Sequence, residues 1–252
     1  MKLIFDAVTA SYRGKTVLEQ VSFSAERGTI TALVGRNGAG KTTLVSCLTG
    51  EKPDYSGAVL LDTQDIRGMS PMDRARHLAC MPQTLPRPHV TVRELMAFGR
   101  TPYTSMTGFL SSADREAVDR AIYATGMEPF ADAFVDELSG GERKKAFFAM
   151  TLAQDTPVVV LDEPTAHLDA VSRFAFLSLI QRLCRDTGKT FFLVLHELPE
   201  VLRCADRIVA LHEKRVAFAG DAEAFLAAEI PQACVQVCIS GDRSRGYAVR
   251  PL

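Results

Sequence analysis

The sequence predicts an α/β fold with a parallel sheet, an N-terminal antiparallel β subdomain and an inserted α-helical subdomain. Short apolar runs at 30–34, 158–161 and 190–195 are typical of parallel strands that are buried on both faces. Residues 2–34 alternate in pieces between apolar and polar side chains, with turns at 13–14 and 27–28, which indicates antiparallel strands. The block from about Thr91 to Ala153 has a helical pattern instead.

Local signals predict the remaining elements in order. A helix is expected from Thr42 to Leu48, followed by a strand from Gly57 to Asp62. Ser70 can cap a short helix that has Pro71 in its first position. Three later elements are a helix at 170–184, a strand at 207–212 and an alternating β segment at 234–239. We expect one domain, with a core at 1–83 and 154–220, a helical subdomain at 84–153 and a C-terminal extension at 221–252.

Charge and length limit the classes of partner. The 252 residues include 29 Lys and Arg against 30 Asp and Glu, so no overall basic field points to nucleic acid or anionic lipid. We interpret the basic cluster 143–145 as the solvated face of a helix. No apolar run approaches the roughly 20 residues of a membrane span, and Asp6 interrupts any signal peptide, so we expect a cytoplasmic chain.

The cysteine pattern indicates reduced thiols. The 6 cysteines are scattered through apolar or mixed segments without a CxxC pair or the spacing of a metal site. We therefore expect them to be core thiols. They are Cys47, Cys80, Cys184, Cys204, Cys234 and Cys238.

A glycine-rich segment follows the first buried strand and opens a helix. This order is typical of a P-loop NTPase core, in which backbone N–H groups surround a polyphosphate at the positive end of the helix. Lys41 would contact the β- and γ-phosphates, and the Thr42 hydroxyl would bind Mg²⁺. The nucleotide-binding residues expected here are Gly35, Asn37, Gly38, Ala39, Gly40, Lys41, Thr42 and Thr43.

Two further strand ends carry candidate catalytic side chains. Asp162 and Glu163 follow the run at 158–161, at the edge where open parallel sheets bind ligands. Asp162 would hold Mg²⁺ through water, and Glu163 would act as general base for, or orient, the attacking water. His196 follows the next run and could touch the γ-phosphate.

A second anion-binding helix start is expected at Ser139-Gly140-Gly141, which has no lysine. A plain helix cap is the alternative interpretation. The chain has only one complete phosphate-binding loop. We therefore expect the second helix start, at Ser139, to contact the nucleotide bound by another copy of the chain.

Together these residues resemble the ATP-binding subunit of ABC transporters, and the resemblance runs from Tyr12 to Asp206. It implies an ABC ATPase fold, ATP and Mg²⁺ as cofactors, and a homodimer that opens on hydrolysis. It assigns Tyr12 to adenine stacking and Gln83 to the Q-loop, with catalytic and metal contacts. Asp169 would lie near the partner's site, and His196 matches the switch histidine. Four positions depart from the common pattern: Arg36 stands where proline is frequent, Glu142 replaces a usual glutamine, and Lys144-Lys145 replace a common Gln-Arg.

Within that family, the element at 99–103, Gly-Arg-Thr-Pro-Tyr, is similar to one found in importers for ferric siderophores, haem and vitamin B12. An ordinary helix end before a proline turn is the alternative. The resemblance implies a transmembrane permease partner that docks on the helical subdomain, an indirect link to a substrate-binding protein, and a peripheral location on the cytoplasmic side of the inner membrane.

Other readings of the same motifs stay open. They are an importer subunit for another cargo and a soluble ABC ATPase such as the iron–sulfur-assembly type. A DNA-maintenance ATPase is disfavoured because no long heptad insertion divides the motifs and the net charge is near zero. An exporter is disfavoured because exporters usually carry the membrane domain in the same chain.

Overall fold

The computed structural model of the protein describes residues 1–52, 54–104, 108–228, 237–242 and 246–251. Two compact units are distinguished, one formed by Met1–Gly68 with Thr190–Leu252 and the other by Met69–Lys189. The predicted α/β class, with an antiparallel sheet, parallel strands and helices, is confirmed.

The elements are as follows. The strands are β1 (Leu3–Tyr12), β2 (Lys15–Ala25), β3 (Ile30–Gly35), β4 (Tyr55–Leu61), β5 (Gln64–Asp65), β6 (Leu78–Met81), β7 (Val158–Asp162), β8 (Thr190–Val194), β9 (Arg207–His212), β10 (Arg215–Gly220), β11 (Val237–Asp242) and β12 (Gly246–Pro251). The α-helices are α1 (Lys41–Thr49), α2 (Pro71–His77), α3 (Val92–Phe98), α4 (Ser112–Thr125), α5 (Gly140–Ala153), α6 (Ala170–Thr187), α7 (Leu198–Cys204) and α8 (Ala222–Ala227).

The first unit contains the antiparallel sheet that the alternating pattern predicts. Its strand order is β2-β1-β4-β5, and β1 pairs antiparallel with both β2 and β4. The buried face carries Phe5 and Phe23, whose ring centroids lie 4.6 Å apart. Phe192 of β8 stacks on Phe23 at 5.9 Å, so this aromatic cluster joins the antiparallel sheet to the parallel strands of the same unit.

The parallel strands of the first unit position the glycine-rich loop. β3 lies between β8 and β9 and is parallel to both, and β10 pairs antiparallel with β9. Every residue of β3 and β8 is buried, as the apolar runs predict. β11 and β12 form an antiparallel hairpin. The predicted β segment at 234–239 lies partly outside the described residues.

The second unit pairs β6 with β7 in parallel, from Leu78 opposite Val158 to Met81 opposite Leu161. Helix α2 begins as predicted: Pro71 is its first residue, and the Ser70 hydroxyl accepts a hydrogen bond from the Asp73 N–H at 3.1 Å. Helix α6 is longer than predicted and ends before Gly188, whose φ of 64° is left-handed. In the described ranges, no helix has the length and apolarity to cross a membrane.

Candidate functional site

The glycine-rich loop runs from the end of β3 at Gly35 to the start of α1 at Lys41. Gly38 and Gly40 have left-handed φ values of 82° and 103°. A Cβ on Gly40 would lie 2.5 Å from Leu18 Cδ2 and 3.1 Å from the Val17 carbonyl oxygen. Glycine is therefore required here both for the backbone conformation and for the close approach of β2.

Lys41 lies against this loop. Its side chain is buried, and Nζ donates to the carbonyl oxygens of Gly35 at 2.7 Å and Arg36 at 3.2 Å. These bonds hold the ammonium beside the loop, where a polyphosphate would need a cation. Thr42 is exposed on the first turn of α1, whereas Thr43 is buried. The other predicted loop residues, from Asn37 to Ala39, are exposed or half-buried.

His196 is positioned by strand register within the first unit. Leu33 of β3 pairs with Val194 of β8, and the Leu195 N–H donates to the Leu33 carbonyl at 3.1 Å. Gly35 and His196 each follow that pair by two residues, so the exposed histidine leaves the sheet at the same edge as the glycine-rich loop.

Tyr12 ends β1 with 47% of its surface exposed, so it is not a core residue. The Lys52 ammonium lies 4.1 Å from its ring centroid. This is a cation–π contact, which places a positive charge over one face of the ring.

In the second unit, the structure brings Gln83 and Glu163 together. Each follows the Met81–Leu161 pair of β6 and β7 by two residues, and Gln83 Nε2 donates to Glu163 Oε2 at 2.7 Å. Glu163 has a left-handed φ of 50°, a strained backbone of the kind that is concentrated at functional sites. Asp162, the last residue of β7, is buried.

The predicted metal ligands suit Mg²⁺ chemically. The Thr42 hydroxyl, the Asp162 carboxylate and the Gln83 amide oxygen are hard oxygen donors, and the Gln83 amide nitrogen is the atom that bonds Glu163. Among the described residues, no group of three or more His, Cys, Asp or Glu side chains could hold a metal ion. The oxygen chemistry of the predicted ligands agrees with Mg²⁺, and their assignment as ligands stays a prediction.

The Ser139-Gly140-Gly141 segment opens α5 through a capping box. The Ser139 hydroxyl accepts from the Glu142 N–H at 3.3 Å, and Glu142 Oε2 accepts from the Ser139 N–H at 2.9 Å. Hydrogen bonds from Ser139 hold the pKa of the Glu142 carboxyl below its usual range. The glutamate at the position where glutamine is usual thus has a defined polar contact.

The prediction that the basic cluster 143–145 is a solvated face was wrong for Lys144. This side chain is buried, and its Nζ donates to the backbone carbonyls of Glu163, Pro164 and Ala166. Its neighbours Arg143 and Lys145 are half-buried. The signal in the sequence was the departure from the common Gln-Arg pair, because a charged residue at an unusual position can have a specific partner.

Asp169 caps helix α6. Its carboxylate accepts from the Ser172 N–H at 2.9 Å and from the Ser172 hydroxyl at 2.6 Å, and these bonds lower its pKa. The spacing Asp-x-x-Ser is a helix-start signal that sequence reasoning did not use. The described contacts of this carboxylate are therefore those of a helix cap.

The Gly-Arg-Thr-Pro-Tyr element has a structural role in the second unit. Arg100 is buried, with Nε 2.9 Å from Asp114 Oδ1, and it donates to the Ala153 carbonyl at 2.7 Å. Its guanidinium also lies 4.0 Å from the Tyr103 ring centroid. A Cβ on Gly99 would lie 2.4 Å from the Met150 carbonyl oxygen. The element therefore ties the end of α3 to the start of α4 and the end of α5.

The glycine-rich loop after β3 and the carboxylate at the end of β7 are each typical of nucleotide-hydrolysing proteins. The family model described as "ABC transporter" matches residues 18–166. The chain belongs to the ABC transporter family and is an ATPase, as the resemblance predicted.

Individual relatives agree with this assignment. The achromobactin transport ATP-binding protein of Dickeya dadantii is 40% identical over 218 residues, which cover 86% of this chain and 81% of that protein. The hemin import ATP-binding protein of Nocardia farcinica is 38% identical over 233 residues, or 90% and 78% of the two chains. The solved structure of cbiO1 from Clostridium perfringens, part of the ABC transporter complex cbiONQ, has 26% identity and a TM-score of 0.81 over 90% of this chain and 91% of that one.

Proposed function

We propose that this chain hydrolyses ATP to power a membrane importer of iron–siderophore or haem-type cargo. The observation that carries the catalytic part is the 2.7 Å hydrogen bond between Gln83 and the strained Glu163, since it orients a carboxylate at a strand end where a general base is needed. The cargo class is supported by the relatives, whose names specify achromobactin transport and hemin import.

In the first unit, the loop from Gly35 to Thr43 would bind the nucleotide. Its N–H groups and Lys41 would contact the phosphates, and adenine would stack on the face of Tyr12 opposite Lys52. His196 would contact the γ-phosphate from its position at the same sheet edge. Thr42 of this unit is a proposed Mg²⁺ ligand, as Asp162 and Gln83 of the second unit are, and the metal would supply positive charge to the phosphates.

In the second unit, Glu163 would accept a proton from the water that attacks the γ-phosphorus, with ADP as the leaving group. The hydrogen bond from Gln83 would hold the carboxylate in one orientation for this transfer. Ser139, Gly140 and Gly141 would contact the nucleotide of a second copy, since Gly140 has open space where a side chain would stand. Asp169 would lie near the site of that second copy while it caps α6.

The working assembly would be a homodimer bound to transmembrane permease subunits at the cytoplasmic face of the inner membrane. A substrate-binding protein would deliver cargo to the permease and touch this chain only indirectly. We also propose the division into a core at 1–83 and 154–220, a helical subdomain at 84–153 and a C-terminal extension at 221–252. The helical subdomain would carry the permease contact.

Reconstitution tests this function. The chain would be isolated from its native membranes with any permease that co-purifies, placed in proteoliposomes, and assayed for ATP-dependent uptake of a ferric siderophore and of haemin. We expect uptake of one of them with the native chain and none with Glu163→Gln. Purification with a soluble scaffold in place of a permease, combined with ATP hydrolysis and no uptake, would contradict the importer assignment.

A further inference from the structure

We propose that Lys144 is a positioning residue that couples the start of helix α5 to the backbone carrying Glu163. The inference rests on the proposed function, because it concerns the orientation of the candidate base. Lys144 lies five residues after Ser139, which caps α5 and is proposed to contact the nucleotide of a second copy. The Lys144 side chain therefore connects this helix start to the segment that carries the candidate base Glu163.

The geometry of the Lys144 side chain carries the inference. Nζ donates to the carbonyl oxygens of Glu163 at 3.3 Å and Pro164 at 3.2 Å, and also to that of Ala166. A lysine ammonium has three N–H donors, and three backbone acceptors converge on it. Only 8% of the residue is exposed, so these charge-assisted bonds operate away from bulk solvent.

The segment held by Lys144 has a strained backbone. Glu163 and His167 have left-handed φ values of 50° and 63°, although neither is glycine. Such conformations persist only where the surroundings fix them. Two turn hydrogen bonds, from Ala166 to Glu163 and from Leu168 to Thr165, both measure 3.2 Å, and Lys144 adds three more bonds to the same short segment.

Loss of Lys144 would leave the segment room to move. A cavity of about 350 Å³ lies beside it, lined by Gln83, Gly140, Lys144 and His167 among others. Without the ammonium, the three carbonyls would be able to turn towards this space. The backbone of Glu163, from which its carboxylate side chain extends, would then no longer be held in one position. A displacement of the α5 start would then no longer shift the backbone of Glu163, because the side chain that connects the two would be missing.

The test compares Lys144→Met, Lys144→Gln and Lys189→Met in the full chain. Lys189 is the control, since its side chain is also mostly buried and donates to the Thr156 carbonyl at 2.8 Å, although it pairs with the Asp155 carboxylate at 2.8 Å as well. For Lys144→Met we expect kcat for ATP hydrolysis to fall by about tenfold to a hundredfold, because small misplacements cost that much, with KM for ATP within about twofold. Lys144→Gln keeps an N–H donor and should recover most of the rate, and Lys189→Met should keep the native kcat.

Hydrogen exchange gives a second readout that does not need turnover. In Lys144→Met, the amides of Ala166 and Leu168 should exchange faster than in the native chain and in Lys189→Met. Unchanged exchange there, or native kcat in Lys144→Met, would overturn the inference. A native chain without ATPase activity would contradict the proposed function alone, and the exchange comparison would still decide the role of Lys144.

Discussion

Gln83 and Glu163 leave the paired strands β6 and β7 at equivalent positions, and their side chains meet in a 2.7 Å hydrogen bond. The amide thus restricts the carboxylate to one orientation. Because Glu163 also has a left-handed backbone, both its main chain and its side chain are fixed. A general base must be held in this way to meet a water molecule in a defined direction.

Glu163→Gln should separate binding from chemistry. The amide is isosteric and cannot accept the proton, so we expect ATP binding to be kept, turnover to fall by about 10²- to 10⁴-fold and an ATP-bound dimer to accumulate. Phosphate release and size-exclusion chromatography with ATP measure the two effects. Native turnover in this variant would refute the general-base assignment, and Asp155→Asn, at an acidic residue outside the candidate site, serves as the control.

Ser139→Arg should block hydrolysis that depends on a dimer. The new cation would fill the space before the exposed α5 start, while the phosphate loop in the same chain is untouched. We expect ATP binding by the monomer to persist and cooperative ATPase activity to be lost. Ser139→Ala removes the cap alone, at a cost of about 1 kcal/mol, and should retain more activity. Normal cooperativity in Ser139→Arg would count against a shared site.

Arg100→Leu should destabilise the second unit strongly. It leaves the Asp114 carboxylate buried without its guanidinium partner, which costs about 3–5 kcal/mol. Arg93→Leu is the matched control, because the exposed Arg93–Asp119 pair is worth less than about 1 kcal/mol. Urea denaturation followed by circular dichroism compares them. Equal losses would show that the buried network contributes no more than a surface pair.

Adding Asp114→Asn to Arg100→Leu should recover part of the lost stability, since it removes the buried charge. In the native chain, a hydrogen bond from Ser111 and then the Arg100 guanidinium hold the pKa of Asp114 below its usual range. The stabilisation is therefore present above the ordinary carboxyl pKa of about 4 and is lost as the pH falls below it. The stability advantage of the native chain over the double variant should therefore shrink as the pH falls.

The buried thiols should destabilise the protein at alkaline pH. Burial raises the pKa of Cys47 to about 11 and that of Cys204 to about 12, from an ordinary value of 9.0. Below pH 9 both states keep the proton, whereas above it the unfolded state loses the proton first, so unfolding becomes easier as pH rises. The variant Cys47→Ala/Cys204→Ala should lose less stability between pH 8 and about 10.5 than the native chain does. If the stabilities of the native chain and the variant fell in parallel with rising pH, burial of the two thiols would not be the cause.

Within the described residues, Cys47, Cys80, Cys184 and Cys204 form no disulfide, in keeping with the reduced thiols that the sequence indicates. Cys234 and the side chain of Cys238 lie outside the described part of the chain.

Strong local signals predicted most of the fold. The apolar runs before Asp162 and His196 form β7 and β8, since runs this short have the length of a strand buried on both faces and not that of a helix. Ser70 and Pro71 fixed the start of α2, because both residue types act through the local backbone. The Gln83–Glu163 contact was not predicted, since it depends on the register of two strands that are about 80 residues apart.

Weak or long-range signals were missed. Strand β6 has four residues and follows α2 without a Gly or Pro break, and β10 alternates only between exposed and half-buried positions. Lys144 was misread because its acceptors lie 19 to 22 residues further along the chain, where only the tertiary structure brings them close. The capping box of Glu142 was readable from Ser-x-x-Glu but was treated only as a departure from a motif.

At position 163, fold stability and activity favour different residues, because the left-handed backbone is costly for a glutamate. Glycine or asparagine adopts this conformation at lower cost than glutamate, so Glu163→Gly should relax strain of order 1 kcal/mol. Selection for thermal stability alone would therefore favour replacements that remove the carboxylate. Directed evolution of this ATPase for higher thermal stability should keep Glu163 unchanged, because the residue that gives the most stable fold at this position is expected to be inactive.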